Sequence, residues 1–492
     1  MVVDYSKLKF KCGLEVHQQL DTKKLFCNCP SVLRKDEPDF EVRRKLHVVA
    51  GEEGGVDKAA AHEAALDKEF VYQGYDTNCL VELDEEPPHE INQEALKIAM
   101  QIAFLMNMKI VPITQIMRKT VIDGSNTSGF QRTVLIARDG WIETENGRVG
   151  IESLYLEEDA ARIVSDSVYK LDRLGIPLVE VVTAPDVKTP EQAKEVALQI
   201  GEILRSVKVK RGLGTIRQDV NVSVRGENRV EIKGMQNMKV FIKAIEGEVE
   251  RQVKLSDDKK PVEMEVRNVL PDATTKFMRP LPGSARMYPE TDLPLLKISR
   301  NLINEVKKNL PKLRKEVEKD LEKKGLSQEM IKLLFKHDRR SSIDSSSKEA
   351  KPKQDKFDEF KELLEIVHNP QLVAKVLLVL PREVASKEKI PIEKAEEILH
   401  KDILAHVLEN LKKGKISEDQ IKLALERIVR GESHTKAVKF RKESIHGMEE
   451  KIMKLIKDKP GLSEKAYMGL VMKEFRGKID GKVIRDMIGK YI

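Results

Sequence analysis

One carboxylate stands alone in an apolar run, Ile176-Pro177-Leu178-Val179-Glu180-Val181-Val182. Burying it unpaired costs several kcal/mol, so Glu180 requires a cation, supplied by an Arg or by a metal ion. A second acidic group, Glu157-Glu158-Asp159, follows Leu154 and Leu156, and alternation places Glu158 on the same face as those leucines. Near the start, His17 shares a face with Glu15, opposite Phe10, Cys12, Leu14 and Val16; a histidine so placed is either structural or a metal ligand. The segment 216–225 alternates as well, presenting Arg217, Asp219, Asn221, Ser223 and Arg225 on one side, and Glu231 and Lys233 continue that pattern. Such a row suits a phosphate and its metal, with Arg clamping oxygens and Asp or Asn holding Mg2+; its other reading is a solvated sheet face. The turn-rich stretch 123–132, with Ser125 and Arg132 and preceded by Arg118 and Lys119, offers backbone N–H groups to an anion. Cys27 and Cys29 suggest zinc only weakly, because Cys79 and His89 are the sole loose candidates to complete four ligands. No Walker A or Rossmann fingerprint is present.

The elements that must carry these residues are mixed as far as Pro294. Strands are expected at 9–17, 109–111, 132–137, 148–158, 175–182, 217–225 and 229–233. Two amphipathic helices are expected, at about 92–108 and from Thr189, where Pro190 and Gln192 follow the cap, to about 207. Beyond Pro294 the strand signal ends and helices follow one another, one opening on the capping pair Ser417 and Gln420. The stretch 338–358 is polar and charged, so it is expected to be a mobile loop or linker. A composition break near 432–447 sets off a last module. The expectation is an α+β chain: a mixed-sheet domain at 1–294, an all-helical domain at 295–440 and a small helical tail at 441–492.

With 492 residues the chain has length for about three domains. Its apolar runs are far shorter than the roughly 18 residues of a membrane span, and its opening residues carry no secretory leader pattern, so a cytoplasmic location is expected. Four cysteines, all within the first 80 residues, are too few for a disulfide framework and are read as thiols. Charge is two-sided. Residues 295–492 hold 46 Lys+Arg against 33 Asp+Glu, leaving 42 against 48 in residues 1–294. An acidic front with a basic rear suits chemistry in one part and a polyanion grip in the other, or else a solvated Lys/Glu-rich helical surface.

Taken together, GLEVHQQLDT at 13–22, VELDEEPP at 81–88, the loop 121–132, LEEDAAR at 156–162, LDRLGIPLVE at 171–180, RGLGTIRQDVN at 211–221 and RMYPETD at 286–292 closely resemble the family formed by the B-type and E-type subunits of the tRNA-dependent amidotransferases, on the side of the archaeal E type. KAYMGLVMK at 465–473 extends the resemblance, more loosely, into the rear. The resemblance implies an enzyme that uses ATP and Mg2+ to phosphorylate glutamate misacylated on tRNA(Gln), ammonia then displacing phosphate to give Gln-tRNA(Gln). It implies a Mg2+ held by the residues matching His17, Glu158 and Glu180. It also points to ATP near Arg217, Asp219, Asn221, Lys233, Ser125 and Arg132. Ammonia would come through a channel from an asparaginase-like amidase partner, the family's D-type subunit, and the tail, with 11 Lys+Arg against 5 Asp+Glu over 451–492, would contact tRNA. One departure is expected: the aspartyl-tRNA-synthetase-like domain inserted in the E type has no room at 265–274. A bacterial B-type subunit with a different amidase, or a tRNA-binding protein without catalysis, would be the other readings.

Overall fold

The computed structural model describes residues 4–491 apart from 49, 51–53, 57–64, 66, 213, 282–286, 336–355, 441–444 and 476–480. Most of the segment 338–358, expected to be mobile, lies outside the described residues. The chain divides into two compact units, Met1–Arg314 and Lys315–Ile492.

The first unit carries all the strands among the described residues. They are β1 (Lys11–Gln19), β2 (Phe40–Lys45), β3 (Glu69–Gly74), β4 (Lys109–Ile110), β5 (Ile113–Thr114), β6 (Ile116–Thr120), β7 (Phe130–Thr144), β8 (Gly147–Glu158), β9 (Arg162–Ser165), β10 (Val168–Lys170), β11 (Pro177–Thr183), β12 (Ile216–Ser223), β13 (Val230–Lys233), β14 (Glu265–Val269), β15 (Thr275–Pro280), β16 (Met287–Pro289) and β17 (Leu296–Lys297). Eleven form one sheet in the order β15-β14-β13-β12-β1-β11-β8-β7-β6-β16, with β4 alongside β7. Every neighbour is antiparallel except β13 and β14. β2, β3, β10 and β9 form a separate small sheet, and β17 pairs with β5.

Three helices fill one side of the large sheet. α1 (Gln93–Leu105) starts where Asn92 accepts the amides of Glu94 and Ala95. α2 (Pro190–Ser206) starts where Thr189 accepts the Gln192 amide. α3 (Phe241–Asp257) has no side-chain cap and is held by its buried face of Phe241, Ala244, Ile245 and Val249. Against these helices the strands turn Leu14 and Val16, Val179 and Val181, Leu154 and Leu156, and Val220 and Val222, all fully buried in one core. Because side chains alternate along a strand, the residues between them, Glu15, His17, Glu180 and Glu157, are left on the opposite face. The helix Arg300–Lys308 belongs to this unit, its Val306 buried in the same core.

The second unit is helical throughout its described residues. One apolar core includes Leu334, Phe360, Val373, Val376, Val407 and Leu425, and the capping box at Ser417 and Gln420 opens the helix Glu418–Val429 as expected. A smaller core of Ile452, Tyr467, Val471, Ile484 and Ile488 holds the tail. The architecture is α+β. No helix among the described residues is long and apolar enough to cross a membrane.

Candidate active site

β1 is flanked by β11 and β12, and the registers His17↔Glu180 and Glu15↔Asp219 set the site. His17 Nε2 lies 3.7 Å from Glu180 Oε2. Glu157, reaching in from β8, completes a group whose ligand atoms all lie within 4.8 Å of one another. Lys119 Nζ donates to Glu157 at 2.7 Å and sits 3.7 Å from Glu180; Thr133 and Gln131 also donate to Glu157, at 2.8 and 3.0 Å. Burial and the Glu180 charge push the Glu157 carboxyl up. Burial would raise Glu180 as well, but Lys119 and the hydrogen bond from His17 hold it well below the usual carboxylate range. His17, which burial alone would lower, is raised by that same contact. Two carboxylates and an imidazole facing one point form a donor set for a cation.

A second group lies beside the first on the same face. Glu15, Asp219 and Glu231 again bring ligand atoms within 4.8 Å. Lys233 Nζ donates to Asp219 at 2.7 Å and to Glu231 at 2.5 Å, and both carboxylates raise it above its ordinary value against the effect of burial. Asn221 Nδ2 donates to Glu15 at 2.9 Å, while its Oδ1 is buried without a partner among the described residues. Burial, then the charges of Glu231 and Glu180, push Glu15 up. A surplus of carboxylates and an orphaned amide oxygen together fit a hard divalent cation such as Mg2+, which takes oxygen ligands.

Of the expected residues, the structure brings together His17 and Glu180, and separately Asp219, Asn221 and Lys233. It does not bring Glu158 to His17 and Glu180. Glu158 shares the face of Leu154 and Leu156, so it points through to the helix side of the sheet, and its neighbour Glu157 takes the place beside His17. Glu158 instead accepts from the Arg132 backbone at 3.2 Å and its guanidinium at 3.4 Å. Arg132 also donates to Glu290 at 2.8 Å, and Arg118 donates to Glu290 at 2.5 and 2.9 Å, so Arg132 belongs to a buried ion network on that helix side. Ser125 lies in the turn 121–129, its amide donating to Asp123 and its carbonyl accepting from Ala161. Arg217 is in register with His17, but its guanidinium donates to Asp159 at 2.9 Å. Glu15, Lys119, Glu157 and Glu231 complete the site. Strict alternation from Leu156 was the signal that could have found Glu157.

The cysteines give a third cluster. Cys27, Cys29, Cys79 and Glu82 hold their ligand atoms within 4.8 Å of one another, so Cys79 does join the pair, while the fourth member is Glu82 and not His89. Glu82 accepts the Cys79 amide at 2.9 Å and Lys24 Nζ at 2.6 Å; Lys24 and Glu82 are both buried. The hydrogen bond from Cys27 lowers the Cys29 thiol, whereas burial raises Cys79 to about 12. Three sulfurs and a carboxylate suit Zn2+.

Residues 10–304 match the family model described as the GatB/GatE catalytic domain, and residues 358–492 match the GatB domain. A Methanocaldococcus jannaschii protein, named as the E subunit of glutamyl-tRNA(Gln) amidotransferase, is 36% identical over all of this chain and 99% of its own length. One of the same name from Archaeoglobus fulgidus is 36% identical over 99% of both chains. A Methanococcus maripaludis protein so named is 55% identical over 266 residues, 53% of this chain and 42% of its own. The M. jannaschii alignment spans 654 positions against 492 residues, so 162 positions have no counterpart here. No inserted domain is evident, as expected: at 265–274 β14 leads through the turn 270–274 directly into its antiparallel partner β15. Catalytic domain, GatB domain and two relatives matched over nearly their whole lengths place the chain in the GatB/GatE family.

Proposed function

We propose that this chain catalyses the ATP-dependent conversion of glutamate on tRNA(Gln) to glutamine. The γ-carboxylate oxygen attacks the terminal phosphorus of ATP and ADP leaves; ammonia then attacks the acyl carbon and inorganic phosphate leaves. The observation that carries the reading is the pairing of two carboxylate clusters, His17–Glu157–Glu180 and Glu15–Asp219–Glu231, on one sheet face with Lys119 and Lys233 beside them. The names of the two full-length relatives point the same way.

His17, Glu157 and Glu180 would hold one Mg2+, and Glu15, Asp219 and Glu231, with Asn221, a second. Bound there, Mg2+ supplies charge neutralisation for phosphoryl transfer. Lys119 and Lys233 are placed to bind phosphoryl oxygens, each drawn from a carboxylate it neutralises at rest. Arg217, held by Asp159, flanks the end of the site at His17 and orients an incoming carboxylate or phosphate. Glu158 and Arg132 act behind the sheet, outside these clusters, and Ser125 holds the turn 121–129 through its contacts with Asp123 and Ala161.

The catalytic cradle, expected to end at 294, takes in β17 and the helix Arg300–Lys308 in this reading and so runs to 314, followed by a helical domain at 315–440 and a basic tail at 441–492 that grips tRNA. The ammonia source is a partner of the asparaginase-like amidase class, the D-type subunit, and the location is cytoplasmic. The test is ATP cleavage and Gln-tRNA(Gln) formation by the purified chain with Mg2+, Glu-tRNA(Gln) and ammonium. Product with ammonium, and none with asparagine or glutamine until an amidase is added, is expected. tRNA binding without ATP cleavage would sink the catalytic reading.

A further inference from the structure

The polar face that carries the two clusters does not end at Lys233. The registers Lys233↔Asn268↔Lys276 and Glu231↔Val266↔Arg279 continue it over β14 to β15, at the open edge of the sheet. In a regular strand residues 276 and 279, three apart, would face opposite ways. The register shift between Val266 and Arg267 gives β15 one extra residue, so Lys276 and Arg279 both align with residues of the site face. A bulge of this kind re-aims side chains and recurs beside active sites.

Arg279 Nε is buried and has no hydrogen-bond partner among the described residues. Arg118, Arg132 and Arg267, by contrast, all spend their guanidinium groups on carboxylates. Proteins seldom keep a buried donor unmatched, so an acceptor that arrives with a ligand is the economical account. Lys276 is exposed on the same edge, beside exposed Asn268. Two strand spacings, roughly 10 Å, separate this pair of cations from Glu231 and Lys233. A nucleoside triphosphate laid across the strands covers that span between its terminal phosphate and its sugar.

We propose that Arg279 and Lys276, with Asn268, form the subsite for the α-phosphate and sugar of the nucleotide, so that ATP lies across β12 to β15 with its terminal phosphate at the carboxylate clusters. The inference rests on the nucleotide-using reading above and adds the direction in which the nucleotide lies. A contact to the α-phosphate is present in ATP and ADP alike, whereas a contact at the terminal phosphate is present in ATP alone.

The experiment measures binding of ATP and ADP, with Mg2+, to the full chain and to Arg279→Met and Lys276→Ala by titration calorimetry, with tRNA binding measured in parallel. Each variant is expected to weaken ATP and ADP by the same factor, about tenfold, with tRNA affinity unchanged. Thermal unfolding checks that Arg279→Met is folded; if it is not, exposed Lys276 decides the matter alone. Unchanged nucleotide affinity, a loss confined to ATP, or a loss of tRNA affinity in place of nucleotide affinity would overturn the subsite. Absence of nucleotide binding by the unaltered chain would instead overturn the catalytic reading on which it rests.

Discussion

Glu157 and Glu158 are adjacent in sequence and on opposite sides of the sheet, so the pair separates a cation-holding role from a structural one. Glu157→Gln keeps the size and the contact to Thr133 and removes the charge. A unit charge pair about 4 Å apart is worth roughly 4 kcal/mol where the effective dielectric constant is near 20, and a divalent ion doubles that. Part is returned because Lys119, 2.7 Å away, no longer shares the carboxylate with the ion. A net loss of about 3 kcal/mol is expected, more than a hundredfold in the Mg2+ concentration that half-saturates ATP cleavage. Glu158→Gln removes instead a long contact to Arg132, which keeps its 2.8 Å bond to Glu290. Its cost is about 1–3 kcal/mol of stability, read as a fall of a few degrees in Tm, with Mg2+ dependence within about threefold of the unaltered chain. The assay is a Mg2+ titration of tRNA-dependent ATP cleavage, with thermal unfolding of both variants. A Mg2+ requirement that shifts in Glu158→Gln and not in Glu157→Gln would refute the placement of these two residues.

Glu290 is fully buried between Arg118 and Arg132, so Glu290→Gln is expected to cost about 3–5 kcal/mol at neutral pH, measured by denaturant unfolding. Burial would raise this carboxyl, but the two arginines hold it below its ordinary value; its stabilisation is therefore complete above the unfolded carboxylate pKa, near 4.3, and lost as pH falls through the lower folded value. The gap between the unaltered chain and the variant should be constant above about pH 5 and should close in acid; a gap that widens in acid would contradict the network. The chain purified with Zn2+ should retain about one equivalent by metal analysis, and Cys79→Ser should retain much less; equal retention would remove Cys79 from the ligand set. Deleting residues 441–492 should weaken tRNA binding and flatten its salt dependence by about one unit of slope for each phosphate no longer gripped, while ammonium-dependent product at saturating tRNA survives. An unchanged slope would deny the tail its proposed grip.

Much of the frame was legible because it rests on local rules. Thr189 with Pro190, and Ser417 with Gln420, announced helix starts that the structure contains. β1, β8, β11 and β12 were found within about two residues by alternation or by an unbroken apolar run. What failed was non-local. β14, β15 and α3 were missed because their polar faces pair within the fold: Glu248 of α3 is buried against Arg251 and Arg267, so polar residues stand where an apolar stripe was sought. β17 lies past the point where strands were expected to end, being only two residues long and defined by its pairing with β5. Cys79 and Glu82 reach Cys27 and Cys29 only through the fold, and no spacing rule joins residues some fifty apart.

The site itself follows from a conflict that a single sheet can resolve. Phosphoryl transfer needs carboxylates gathered closely enough to hold cations, and that gathering opposes folding unless each negative charge is met. On the site face Lys119 and Lys233 meet part of that charge and His17 another part, and the raised carboxyls of Glu15 and Glu157 mark what is left over. On the helix side β8 carries Glu158, and Glu290 follows β16; burial raises the Glu158 carboxyl as well, against the pull of Arg132, whereas Arg118 and Arg132 together hold Glu290 below its ordinary value. Arginine keeps its proton and grips two oxygens at once, which suits a permanent pair; lysine and histidine give up a carboxylate more readily to an incoming cation. The choice of cation on each face therefore separates the carboxylates meant to be released to a ligand from those meant to stay bound. Lys119→Arg should consequently impair ATP cleavage although it preserves charge, by holding Glu157 and Glu180 bidentately, and normal Mg2+ dependence in that variant would refute this division.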